Sequence, residues 1–361
     1  MKIIYDAQIF LQQKAGGISR YHYELFKGMR RRGHDARIAG RFVKNRYLLS
    51  DRSGGKSFIP DPTASFALFN RWALQRKLKT AGQDAIFHPA NAYDFLLPDL
   101  HGLPGARNTV FTIHDMIVEK QNPTLSIGAN KWLYARHAGR IIAVSEATKK
   151  DIVALWGIAP EKIEVVYHGS SLHLQSARKP AQPLPERFLL YVGDRDGHKN
   201  FDTFVRAATG LLKKHPALYL VCAGKRAFSH RERLLLKELG IGKQLLFFLR
   251  PDDNVLAYLY AKAQAFVFPS VDEGFGIPIL EAWSCGTPVA LSCNPCFREV
   301  AAEAGYYFDP LSPESICEAL ETILSDQALR KDLVNKGAAR LELFSWEKTV
   351  EQTSGLYKTL L

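Results

Sequence analysis

Apolar positions along the chain fall into two alternating patterns. Short runs rich in β-branched and aromatic residues occur at KIIYD (2–6), ARIAG (36–40), AIFHP (85–89), VFTIH (110–114), RIIAVS (140–145) and IEVVYH (163–168). A second set follows at RFLLYVG (187–193), LYLVCAG (218–224), LLFFLR (245–250), AFVFPS (265–270), PVALS (288–292) and YYFD (306–309). Each run is continuously apolar rather than alternating, which predicts parallel strands covered on both faces. Between most of them lie ten or more residues with helical spacing of apolar positions. Repeated strand–helix units predict an α/β protein with a doubly wound, Rossmann-like parallel sheet in each half.

The stretch GSSLHLQSARKPAQPLPER (169–187) breaks the pattern with Ser and Pro and reads as a linker signal. The expected organisation is a first domain over 1–175, a linker over 176–186, a second domain over 187–340 and a closing helical segment over 341–361. The length of 361 residues suits two domains of ordinary size. Two such sheets are expected to face a central cleft at their carboxyl ends, the usual ligand site of this architecture.

Composition narrows the picture. With 47% hydrophobic and 23% charged residues the chain has ample material for two cores, which rules out a disordered protein. No run reaches the ~20 apolar residues of a membrane-spanning helix. The opening MKIIYDAQIF reads as a first strand rather than a secretion signal, so a cytoplasmic protein is expected. Five cysteines, an odd number in a long chain, do not suggest a disulfide framework.

The net charge of +12 is unevenly placed. Residues 1–180 hold 27 Lys and Arg against 14 Asp and Glu, whereas residues 181–361 hold 21 against 22. A basic half beside a neutral one points to an anionic partner or simply to solubility. Arg30, Arg31 and Arg32 follow one helical segment, and Arg71, Arg76, Lys77 and Lys79 line another. Tyr47, Leu48, Leu49, Phe66, Phe69 and Trp72 interleave apolar groups with these bases. No nucleic-acid motif accompanies them, so nucleic acid is not expected as a partner. An anionic membrane surface suits a mixture of bases and apolar groups better.

Several nucleotide and metal motifs fail on inspection. SDRSGGKS (50–57) ends like a phosphate-binding loop but has Ser50 where the first glycine belongs. EGFGIPI (273–279) has two of three dinucleotide-fingerprint glycines, with Ile279 in the third place. Cys293 and Cys296 have redox-motif spacing, with no second Cys/His pair at zinc spacing.

The informative stretch is FVFPSVDEGFGIPILEAWSCGTPVA (266–290). A strand ends at Pro269–Ser270, a glycine-containing loop follows, and Pro278 opens a helix that Gly286 and Pro288 end. The unsatisfied N–H groups and positive dipole end of that helix suit an anion. Gly274 and Gly276 allow close backbone approach to a ligand. Glu273 precedes the helix and Glu281 is placed in its first turn. Glu281 either complements the dipole, or the two carboxylates accept hydrogen bonds from vicinal hydroxyls, one on a sugar and one on a ribose.

This stretch resembles the signature of retaining glycosyltransferases of family 4, which have the GT-B fold, through Glu273 and Glu281 separated by seven residues. Further segments resemble that family in order along nearly the whole chain. QQKAGGISRY (12–21) is similar to its amino-terminal glycine loop, with Gly16 and Gly17 on the donor side. TIHD (112–115) ends a strand where the family has a histidine beside the transferring sugar, here His114. AVSEATKKDI (143–152) and VVYHGSS (165–171) resemble the end of the first domain, and FSWEKTVEQTSGLY (344–357) resembles the closing helix that crosses back onto it. YVGDRDGHKNFDTFVRA (191–207) resembles the phosphate loop, with His198-Lys199-Asn200 in place of the commoner Arg-Lys-Asn. The departure leaves the guanidinium that assists Lys199 to be found elsewhere, and Arg195 is the candidate.

The resemblance implies a nucleotide diphosphate sugar as donor and a glycan or lipid-linked acceptor. Arg195 and Lys199 would stabilise charge growing on the leaving phosphate, His114 and Glu273 would contact the sugar, and Glu281 the ribose. Gly274, Phe275, Gly276 and Ile277 would line the donor, with Leu249 and Arg250 near the base. Asp115 would either orient His114 or cap the next helix. Asp194-Arg195-Asp196 has the Asp-x-Asp form that holds Mn²⁺ in another class of glycosyltransferase. Here it lies in a loop whose Arg195 and Lys199 already supply positive charge, so no metal or other cofactor is expected. The resemblance further implies retention by front-face departure and attack, without a covalent nucleophile. The local text GISRY, GDRDGHKN and YHGSS resembles bacterial mannosyltransferases of surface-polysaccharide synthesis, which favours GDP-mannose and a peripheral place at the inner face of the plasma membrane. A nucleotide-sugar epimerase, a phosphorylase or a non-catalytic sugar-nucleotide-binding protein on the same scaffold are the competing readings.

Overall fold

The computed structural model describes residues 1–50, 57–59, 64–90, 108–122 and 129–361. Residues 51–56 of the SDRSGGKS stretch lie outside them. The chain divides into one compact unit of Met1–Gly169 with Trp346–Leu361 and a second of Ser170–Ser345.

In the first unit β1 (Lys2–Asp6) lies between β2 (Asp35–Ala39) and β5 (Ala85–His88), both parallel to it. A parallel bridge from Phe87 to Thr109 joins this group to β6 (Val110–Ile113), β7 (Arg140–Ala143) and β8 (Ile163–Val165), also all parallel. A short ladder of β3 (Phe42–Val43) and β4 (Ser57–Phe58), not expected from the sequence, stands apart. Two residues are too few to show any period. The two-residue period of β1 sends Ile3 and Tyr5 into one apolar layer and Ile4 into the other, so the sheet is buried on both sides. The Trp346–Lys358 helix closes the first layer through Trp346, Val350 and Tyr357. It comes so near the Gly17–Arg31 helix that a Cβ on Gly28 would lie 2.4 Å from Val350 Cγ2.

In the second unit β9 (Arg187–Val192), β10 (Leu218–Gly224), β11 (Leu245–Leu249), β12 (Ala265–Phe268), β13 (Val289–Ser292) and β14 (Tyr306–Phe308) form one parallel sheet. Its order is β11-β10-β9-β12-β13-β14. That is the doubly wound order in which the direction of winding reverses between two adjacent strands, here β9 and β12, and ligands bind outside the carboxyl ends at that point. Several helix entries are capped by side chains. Ser229 and Glu232 form a reciprocal capping box, and Asp252, Asn294 and Ser312 each accept a first-turn N–H.

All twelve strands expected from the sequence form, several ending one to three residues early for local reasons. Ser145 leaves β7 to cap the next helix, accepting the Thr148 N–H at 3.0 Å. Tyr167 leaves β8, and its carbonyl accepts from Thr349 Oγ1 at 2.7 Å. The 176–186 stretch read as a linker has its start fastened to the second unit. The Leu174–Ser176 turn packs on the Asp253–Lys262 helix, the Arg178 N–H donates to Asn254 O at 2.9 Å, and the Arg178 side chain pairs with Asp252. Polar and Pro-rich composition marked an irregular segment, not an unattached one.

Candidate active site

In the second unit the loops after β9 and β12 flank the switch point and are laced together. The Val271 N–H donates to His198 O at 2.8 Å, and Asn200 Nδ2 donates to Pro269 O and Pro310 O at 3.2 and 2.7 Å. Asn200 holds a left-handed backbone (φ 54°) at the entry to the Phe201–Lys214 helix, a conformation its short amide side chain tolerates. Lys199 sits just before it, and its Nζ meets Glu273 Oε1 at 2.5 Å. Both side chains are largely buried, at 23% and 12% exposed. One cation and one carboxylate from different loops are thus held together where a diphosphate and a sugar are expected.

Gly276 has φ 101°, and a Cβ there would lie 3.0 Å from both Ile279 Cδ1 and Phe297 Cε1. The glycine lets the chain turn into the Ile277–Ser284 helix. Phe275 is buried edge-on to Phe344, and its carbonyl accepts from Cys296 Sγ at 3.1 Å. Cys293 and Cys296 are both free thiols. Glu281 lies in the second turn of this helix, not the first, because Ile277 is the first helical residue. From there Glu281 accepts from Tyr260 Oη at 3.1 Å. Burial first, and the nearby Glu281 carboxylate second, hold the Tyr260 phenol well above its ordinary pKa, so it stays a donor.

Arg195 departs from expectation. Its side chain is 4% exposed, and Nε donates to Glu232 Oε1 at 2.6 Å while Nη2 donates to the carbonyls of Arg226 and Ala227, each at 2.9 Å. The guanidinium lies over Phe228 and Phe247, 4.6 and 5.0 Å from their centroids. These bonds make Arg195 a tie between the loop after β9 and the loop after β10. Asp196 pairs with Arg226, and the Asp194 carbonyl accepts from Tyr191 Oη at 2.5 Å. Among the described residues no group of three or more His, Cys, Asp or Glu could hold a metal ion. Leu249 is exposed, and Arg250 (φ 50°) fastens its backbone to Gly224 O and its Nε to Lys225 O.

In the first unit Gly16 caps the Gly17–Arg31 helix with an extended backbone, and its carbonyl accepts from Ser19 Oγ and the Arg20 N–H. His114 follows β6. It lies edge-on to Tyr21 (5.1 Å) and stacks on His168 (5.7 Å), and its buried Nε2 has no hydrogen-bond partner among the described residues. Burial pushes its pKa down to about 4, so the ring is neutral at pH 7. Asp115 Oδ1 accepts the Ile117 N–H at 3.2 Å beside the start of the Ile117–Gln121 helix, whose N-cap is Met116.

His114 has a setting that the sequence reading did not anticipate. His88 Nε2 bonds Thr112 Oγ1 at 2.8 Å, Thr112 Oγ1 bonds Tyr21 Oη at 2.9 Å, and His88 Nδ1 bonds Tyr357 Oη at 2.5 Å. His22 packs edge-on to His88 at 5.3 Å. A signal was present, because three first-half strand runs carry a histidine at or next to their end: His88, His114 and His168. Tyr260 and Glu232 gave none, since each looks like an ordinary helix residue.

Comparison with known proteins follows the same division of the chain. Residues 15–173 match the family model described as Glycosyltransferase Family 4, and residues 175–340 match Glycosyl transferases group 1. The chain is 31% identical over 304 residues to an O-antigen chain mannosyltransferase B of Escherichia coli, covering 80% of this chain and 77% of that one. It is 28% identical over 233 residues to the O-antigen chain mannosyltransferase RfbU of Salmonella typhimurium, covering 62% and 63%. Among solved structures, Anabaena Alr3699/HepE in complex with UDP and glucose superposes with a TM-score of 0.74 at 18% identity over 99% of both chains. The chain belongs to the glycosyltransferases that combine a family 4 amino-terminal region with a group 1 carboxyl-terminal region on the GT-B fold.

Proposed function

We propose that this glycosyltransferase moves mannose, with retention, from a nucleotide diphosphate donor, GDP-mannose in first place, to a glycan or lipid-linked acceptor. The observation that carries the reading is the Lys199–Glu273 pair at the switch point of the second unit. A bound diphosphate gives Lys199 a second anion, and a sugar gives Glu273 hydroxyl donors, so the pair is exchanged for contacts with the donor. As the anomeric bond to the diphosphate lengthens, Lys199 and the N–H groups near Ile277 stabilise the growing phosphate charge. A preorganised donor of this kind contributes about 2.7–4 kcal/mol by analogy with oxyanion sites. Glu281 accepts from the ribose hydroxyls, with Tyr260 fixing its carboxylate. His114 is assigned to the transferring sugar, and its neutral ring can donate or accept without placing a charge there. Leaving-phosphate oxygen takes the acceptor proton in a front-face exchange, and no protein nucleophile is used. No metal or cofactor takes part.

Mannose is favoured because two relatives are named as mannosyltransferases. The exposed bases and aromatic residues of the first unit support an acceptor presented at an anionic membrane face, reached from the cytoplasm. The deciding experiment is nucleotide release from GDP-mannose, UDP-glucose and UDP-N-acetylglucosamine, with and without acceptor glycolipid. Preference for GDP-mannose and an axial α-linkage in the product are expected. A UDP donor preferred by tenfold or more removes the mannose assignment, and an inverted product removes retention.

A further inference from the structure

We propose that a groove along the open edge of β2 in the first unit is a seat for the headgroup of an anionic phospholipid. This deepens the membrane reading above, and it is tested without donor or acceptor.

The groove has a volume of about 690 Å³. Among the described residues strand β2 pairs with β1 alone, so one long side of the groove is a sheet edge. The floor is apolar, with Phe26, Ile38 and Leu48 all buried. Around it stand Arg30, Arg37, Arg41 and Lys77, supplied by three different parts of the chain. Among the described lining residues Asp35 is the one carboxylate, and it is paired with Arg37 Nε at 2.6 Å. Among the described lining residues the bases therefore outnumber the acids. Arg30 lies over the Phe26 ring at 5.5 Å, which keeps a guanidinium against the apolar floor.

A lipid, rather than a soluble phosphate, is indicated by what adjoins the bases. The Ala64–Ala81 helix that supplies Lys77 also carries Leu68, Phe69 and Trp72, which are 55%, 41% and 53% exposed. Leu68, Trp72 and Arg76 recur at helical spacing, and the Arg76 guanidinium lies 5.7 Å from the Trp72 ring centroid. Phe58, on β4, is 54% exposed. A small anion has no use for large exposed apolar side chains beside its site. A headgroup with attached acyl chains satisfies both, since bases near an anionic surface attract it and aromatic residues favour the interface.

The test is co-sedimentation of the full chain with vesicles of phosphatidylcholine alone and with 30% phosphatidylglycerol, at low and at physiological salt. Binding to the anionic vesicles that weakens as salt rises is expected. Arg30→Ser/Arg41→Ser/Lys77→Ser should lower the partition coefficient at least tenfold, with Arg37 kept so that Asp35 stays paired. Leu68→Ser/Trp72→Ser should also weaken binding but leave its salt dependence intact. Both variants should melt with the wild-type protein and release nucleotide from donor at its rate. Equal binding to neutral and anionic vesicles, or full binding by the triple variant, overturns the proposal. So does competition by soluble glycerol 3-phosphate at millimolar concentration, which would make the ligand a free phosphate. Vesicle binding without turnover of any nucleotide sugar would instead overturn the donor reading and leave the groove standing.

Discussion

Lys199 Nζ and Glu273 Oε1 lie 2.5 Å apart although 74 positions separate them in the chain. Two hydrogen-bonded loops bring them together, with Lys199 ending the short 3-10 helix Gly197–Lys199 and Glu273 lying in the loop before the Ile277–Ser284 helix. The backbone bond from Val271 to His198 sets the spacing, and the Asn200 amide holds the end of one loop to the start of the other.

Substitutions on the two carboxylates should separate binding from chemistry. Glu281→Ala should raise the donor Kd about tenfold, because ribose hydroxyls and Tyr260 lose their acceptor. Glu273→Ala should lower kcat about 10²–10³-fold with a smaller change in Kd, as expected for a contact made at the reacting sugar. Calorimetric donor binding beside steady-state rates gives both quantities. Equal losses of binding in the two variants would refute the separate roles.

Arg195→Ala should act on stability before it acts on catalysis. It leaves Glu232 largely buried without its cation and removes two bonds to the loop after β10. Removing one partner of a buried pair costs about 3–5 kcal/mol. A clearly lowered Tm for the second unit is expected, and a smaller drop for Lys199→Ala, whose side chain is 23% exposed against 4% for Arg195 and makes no carbonyl bonds like those of Arg195. A variant that melts like the wild type but loses turnover would return Arg195 to the phosphate.

Activity should persist in excess chelator. Lys199 and the amino-terminus of the Ile277–Ser284 helix neutralise the diphosphate in the proposed mechanism, and Asp196 is already paired with Arg226. Nucleotide release measured in EDTA, then after Mn²⁺ or Mg²⁺ addition, checks this. Loss of turnover restored by metal would revive a metal role for Asp194 and Asp196.

The strands were legible because burial on both faces leaves long apolar runs, and the helix after β12 because Pro278 and Gly286 punctuate it. The candidate site was legible where the chain itself carries the geometry, as at Gly276. It was not legible where partners come from distant elements. The His198-Lys199-Asn200 departure makes Arg195 the candidate guanidinium for the phosphate, but its side chain turns toward Glu232, Phe228 and Phe247. Glu281 similarly gave no sign of Tyr260. The β3–β4 ladder is two residues long on each side, below any periodic signal.

The final prediction concerns acid. His22, His88, His114 and His168 pack within one buried cluster, together with Tyr5, Tyr21, Tyr357, Thr112 and Trp346. Burial is the first cause lowering the pKa of each imidazole, to about 3 for His88 and about 4 for His114, with the neighbouring imidazoles adding for His22, His88 and His168. Asp115 opposes the shift at His114, and Lys131 adds to it. In the unfolded chain each histidine takes a proton near its ordinary pKa of about 6.5. Between pH 6.5 and 4 the unfolded state therefore binds more protons than the folded state. Stability of the first unit should fall as pH drops through that window, by up to ~1.4 kcal/mol per pH unit for each histidine. Above pH 7 all four are neutral in both states and this contribution is flat. Thermal unfolding at pH 7.5, 6.0 and 5.0 should show the first unit losing Tm well ahead of the second. His88→Gln, which replaces the ring with a group that does not titrate, should flatten the slope by about a quarter. It should also lower kcat more than donor Kd if the Tyr357–His88–Thr112 chain holds Tyr21 against His114. A first unit whose Tm is the same at pH 7.5 and 5.0 would show that the imidazoles accept protons in the folded state, contrary to the buried cluster.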